Sequence, residues 1–66
     1  MDYVARFRDK DEVRIVYRQL KEAYMRRGDH TSIKMSNNEL RIPEDAIPLL
    51  ERIAEEISAR YRLAQK

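Results

Sequence analysis

Apolar positions in the first segment alternate and those in the next recur at three and four residues. Tyr3, Ala5 and Phe7 fall on one side of residues 3–8, and Arg6 and Arg8 fall on the other. A period of two is that of a half-buried strand. A helix from residue 3 is the competing reading, but no apolar side chain follows Phe7 until Val13. Asp9 then stands as an N-cap with Glu12 three residues later, the spacing of a capping box. Val13, Val16, Tyr17, Leu20 and Tyr24 follow at helical spacing, and Gly28 suits the left-handed position after a helix. The spacing predicts a helix over residues 10–27.

Two short runs, Thr31 to Ser36 and Glu39 to Ile42, flank Asn37 and Asn38. Asparagine tolerates positive φ, so the pair predicts a two-residue hairpin turn. That turn sets Met35 opposite Leu40 and Ile33 opposite Ile42 on one face, with Lys34 opposite Arg41 on the other. Asp45 is placed to cap a second helix, with Pro48 in its first turn, where a missing N–H costs nothing. Ile47, Leu50, Ala54, Ile57, Tyr61 and Ala64 recur at spacings of three and four, and Leu49 and Ile53 widen the stripe. The predicted architecture is one α+β domain over residues 1–66, ordered βαββα, with both helices on one sheet face.

Size changes the picture. A chain of 66 residues buries only about 60% of the surface its unfolded form exposes, and such domains usually need a supplementary staple. There is no cysteine, and His30 is the only histidine, which excludes a disulfide and a zinc site of the usual nitrogen–sulfur type. A partner is then the expected supplement. Leu49, Ile53 and Leu63 exceed what one hairpin covers, so a homodimer or a protein partner seated on the second helix is expected; the alternative is that the first helix covers them. No run approaches a membrane span, and no secretory leader stands at the N-terminus, so a cytoplasmic protein is expected.

Fourteen basic residues face twelve acidic ones, for a formal charge of +2 and a pI near 9.2, so placement matters more than total. Arg26 and Arg27, and likewise Arg60, Arg62 and Lys66, fall where cations complement the end of a predicted helix. Arg52, Glu56 and Arg60 make an ordinary i,i+4 ladder. Arg14, Arg18 and Lys21 remain on one stripe of the first helix behind Lys10, with Lys34 and Arg41 across the hairpin and Arg6 and Arg8 on the first strand. If these surfaces adjoin, they form a basic face suited to the phosphates of duplex DNA. The plainer reading is a solvated face whose cations keep strand edges from pairing. No aromatic residue interleaves with the cations on the outer strand face, which disfavours base stacking on a single strand.

Catalysis finds little support. The one candidate base, His30, sits at a loop-to-strand junction, where Asp29 is poorly placed to orient it. There is no glycine-rich phosphate loop or paired-histidine metal motif, and Glu51, Glu55 and Glu56 lie on the polar side of a helix. No enzyme activity, cofactor, metal or small-molecule substrate is expected.

The stretch from Ser32 to Leu50, in which a hairpin runs into Ile42-Pro43-Glu44-Asp45-Ala46, resembles the helix–hairpin–helix module that begins excisionase-like DNA-binding antitoxins, without their helix-turn-helix. The resemblance implies a small prokaryotic or mobile-element regulatory protein acting on transcription. The leading expectation is a DNA-binding accessory factor contacting phosphates through Arg14, Arg18, Lys21, Lys34 and Arg41. The alternative is a protein-interaction module, an inhibitor or adaptor, using Leu49, Ile53 and Leu63.

Overall fold

In a computed structural model, which describes residues 2–28 and 32–65, the alternating N-terminal segment forms strand β1 (Asp2–Phe7). Helix α1 (Lys10–Arg26) follows, and the carboxylate of Asp9 caps it by accepting from the Asp11 N–H at 2.8 Å. Gly28 takes the left-handed conformation (φ 71°) and donates to the Met25 carbonyl, closing the helix as expected. The hairpin joins β2 (Lys34–Ser36) to β3 (Glu39–Pro43) through Asn37, at φ 53°, and Asn38. Helix α2 (Ile47–Glu56) and strand β4 (Tyr61–Gln65) complete the order. His30, Asp29, Thr31 and Lys66 lie outside the described residues.

The sheet order is β2-β3-β1-β4, with β1 antiparallel to both β3 and β4. Two helices in a βαββαβ chain with this order make the ferredoxin-like, split βαβ arrangement. Packing explains why. Val13, Val16, Leu20 and Tyr24 of α1 and Leu50 and Ile53 of α2 form one cluster with Ala5, Phe7, Leu40 and Ile42 of the sheet. Register places Met35, Leu40, Ala5 and Leu63 in a row across all four strands on that helix-bearing face. The inner two are fully buried, whereas Met35 and Leu63, on the edge strands, are 40% and 37% exposed.

The α+β class, the two helices on one face and the hairpin pairs Lys34–Arg41 and Met35–Leu40 hold as predicted; β2 starts only at Lys34, so the predicted Ile33–Ile42 pair lies outside the ladder, and the second helix differs at both ends. Asp45 is not its N-cap. Glu44–Ala46 form a 3-10 turn, the Ile47 N–H bonds to the Glu44 carbonyl, and α2 starts after Ala46 without a side-chain cap. Its end is the larger correction: the helix stops at Glu56 rather than running to Ala64. Ser58 adopts φ 54°, its N–H bonds to the Glu55 carbonyl, and the Ala59 N–H bonds to the Ala54 carbonyl at 2.8 Å. These two bonds are those of a Schellman motif, with serine where glycine is usual. The chain reverses there and returns as β4 beside β1.

A non-glycine residue at that position is strained. Ser58→Gly is therefore expected to stabilise the domain, by about 1 kcal/mol, read as a higher urea midpoint with an unchanged slope. A lower midpoint would show that the serine side chain contributes something beyond occupying the turn. Among the described residues, no helix is long and apolar enough to cross a membrane.

Candidate functional site

Both helices cover the same side of the sheet, so its other side is an open face whose residues follow from strand parity. Lys34 and Ser36 of β2, Glu39 and Arg41 of β3, Val4 and Arg6 of β1, and Arg62 and Ala64 of β4 all belong to it. They lie in two neighbouring rows. One runs Lys34, Arg41, Val4, Ala64, and the other runs Ser36, Glu39, Arg6, Arg62. Each row therefore holds a directly opposed like-charge pair, Lys34 with Arg41 and Arg6 with Arg62. Such a pair is unfavourable by roughly 0.2–1 kcal/mol.

Compensation on this face is sparse. Glu39 accepts from Arg6 Nη2 at 2.6 Å and from Nε at 3.0 Å. With the Arg6 side chain 68% exposed, this bond contributes little to stability. No other ion pair closer than 4 Å occurs among the described residues on this face. Asp2 is the second outward carboxylate, at the far end of β1. Arg8 and Arg60, just beyond the paired residues, add two further cations at the rim. Helices α1 and α2 with their caps, by contrast, carry as many carboxylates as cations, seven of each. The small total charge thus conceals a molecule with a basic sheet side and a helical side close to neutral.

The five predicted phosphate contacts divide between these two sides. Lys34 and Arg41 are on the open face, as their hairpin register required, and border a shallow depression with Val4, Ser36 and Glu39. Arg14, Arg18 and Lys21 are exposed on α1, in the helical layer. Arg14 and Arg18 flank Ile15 and Gln19, and the Lys21 Nζ lies 5.3 Å from the centre of the Tyr17 ring, a cation–π distance. These two groups do not form one surface.

The expected apolar shoulder is also rearranged. Ile53 is a core residue, 6% exposed, and Leu49 packs half-buried against the same cluster. Helix α1 and the sheet cover what the sequence left over. Leu63 is not on a helix at all but on β4, opposite Ala5.

Arg60 and Arg62, which sequence spacing places at the end of a helix, belong instead to the basic face, because α2 stops at Glu56 and the chain returns as β4. They bring Arg6 and Arg8 into a cluster at the end of the sheet where β1 leaves and β4 enters. Phe7 and Tyr61, opposite each other in the register, stack there with ring centres 5.3 Å apart and planes at 28°. Burial, and secondarily the Glu51 carboxylate, raises the Tyr61 phenol above its usual pKa, so the ring stays neutral at physiological pH and adds no negative charge to the cluster. No protein-family model matches the chain, and no curated protein matches it in sequence.

Proposed function

We propose that this protein binds duplex nucleic acid through the phosphate backbone, using the open sheet face rather than α1, in a binding rather than catalytic role. The observation that carries this reading is the pair of opposed like-charge pairs, Lys34–Arg41 and Arg6–Arg62, on a face that no helix covers. The fold itself does not require cations there. Placing four of them in adjacent rows costs stability, and locally unfavourable chemistry of this kind is expected at functional sites. A multiply charged polyanion relieves the repulsion on binding. Exposed aromatic side chains are missing from both rows, which favours phosphate contact over base stacking. A regulatory role of the kind implied by the hairpin-to-helix resemblance at residues 32–50 belongs to the same proposal.

The test is a fluorescence anisotropy titration with random-sequence duplex DNA at two salt concentrations. Contact with about four phosphates gives a slope of log affinity against log salt near −3.6, at about −0.9 per phosphate. Affinity that does not change with salt, or no binding at low salt, overturns the reading.

A further inference from the structure

The arginine cluster at the β1–β4 end of the sheet holds more positive charge than an internal backbone phosphate requires. In the register, Arg6 opposes Arg62 and Phe7 opposes Tyr61. One step further along the two chains, Arg8 comes alongside Arg60. All four arginines, with Phe7 and Tyr61 between them, line one cleft of about 500 Å³. Opposed residues in a sheet have Cβ atoms about 5 Å apart, and same-face neighbours along a strand are separated by about 7 Å. Four arginines therefore border one cleft with room for a terminal phosphate group, and three of them, Arg8, Arg60 and Arg62, have no ion-pair partner among the described residues.

Only Arg6 has an ion-pair partner, Glu39, among the described residues. Asp9, Asp11 and Glu12 lie beyond Arg8 and Arg60 across a second depression. No ion pair joins them to either arginine, and the Asp9 carboxylate is already occupied by the Asp11 N–H at the head of α1. An internal phosphodiester carries a single negative charge. A phosphomonoester carries about −1.5 to −2 at neutral pH, with three acceptor oxygens, and guanidinium forks bind such oxygens in pairs.

We propose that this cleft is a receptor for a terminal phosphate group, a phosphomonoester or pyrophosphate, and that on nucleic acid it seats the phosphorylated end of a strand. The inference rests on the phosphate-binding reading of the open face and adds a preferred position within it. Lys34 and Arg41, at the other end of the face, then track internal phosphates of the same duplex.

The experiment compares 5′-phosphorylated and 5′-hydroxyl duplexes of one sequence, and separately titrates inorganic pyrophosphate by calorimetry, using the full chain and the double variant Arg8→Gln, Arg60→Gln. Both positions are exposed, and circular dichroism checks that the variant folds. The expected result is a preference of about tenfold for the phosphorylated end and competition by pyrophosphate, and in the double variant loss of both, with the two duplexes brought to one common, weaker affinity. Equal affinity for the two duplexes together with no pyrophosphate binding overturns the receptor and leaves the open-face reading standing. Pyrophosphate binding that the double variant abolishes, with no binding of either duplex, supports the receptor with a free diphosphate as its source and overturns the nucleic-acid reading.

Discussion

Phe7→Ala is expected to unfold a large fraction of the protein at 37 °C. The side chain is 1% exposed and is the largest fully buried one in the core. It stacks on Tyr61, and its backbone is fixed on the other side by Asn38, whose carbonyl accepts from the Phe7 N–H and whose side-chain amide donates to the Phe7 carbonyl, both at 2.8 Å. Removing a buried phenylalanine costs about 3–5 kcal/mol in transfer and cavity terms. The whole stability of a chain this size is on the order of 3–10 kcal/mol, so the loss takes most of it. Urea unfolding followed by circular dichroism measures this directly. Phe7→Leu should lose much less, since it keeps most of the volume and gives up chiefly the aromatic contact, about 1 kcal/mol. If Phe7→Ala unfolded at the parent's midpoint, the β1–β4 pairing that buries the ring would be wrong.

The second large effect separates binding from folding. Lys34→Glu combined with Arg62→Glu puts a carboxylate opposite Arg41 and another opposite Arg6, turning both repulsive pairs of the open face into attractive ones. The fold should gain about 1 kcal/mol from the two exchanges. Affinity for duplex DNA should fall about a hundredfold at low salt, since each lost phosphate contact is worth roughly 1.5 kcal/mol. Arg14→Glu with Arg18→Glu on α1 is the control and should leave the affinity within about threefold, because those side chains belong to the helical layer. A more stable, weaker-binding double variant is a result that disrupted folding cannot imitate. Equal losses from the sheet and the helix pairs would instead return α1 to the interface.

The first 56 residues were largely legible because each element carries its own local signal. Tyr3, Ala5 and Phe7 alternate, the α1 stripe is framed by Asp9 and Gly28, and the Asn37-Asn38 turn sets a register that the polarity of its flanks reinforces. The last ten residues were not. Ile57, Tyr61 and Ala64 continue the spacing of α2, so a helix through Ala64 satisfied the pattern. Tyr61, Leu63 and Gln65 also alternate, and that weaker signal is the one the fold uses, because β1 has an open side to which it adds. The stop signal is a left-handed Ser58, a residue type that seldom marks such a position and therefore carries little information in a sequence. The same error concealed the candidate site. Arg60 and Arg62 have a sufficient explanation at the end of a helix, and only on a strand do they stand beside Arg8 and Arg6. Lys34 and Arg41 were placed correctly because their register depended on a two-residue turn rather than on the far end of the chain.

Pairing the first described strand with the last has a consequence during synthesis. Residues 2–7 are made well before residues 61–65; at about 5–20 residues per second the interval is several seconds. Until the last strand is made and released, the side of β1 that β4 will occupy stays unpaired, and Phe7 lacks the ring of Tyr61. An open strand edge beside an exposed aromatic residue is a template for pairing between nascent chains. Arg6 and Arg8, on either side of Phe7, are charged gatekeepers at that edge. The arginines proposed to hold phosphate in the finished protein would then serve the unfinished chain by repelling its own copies.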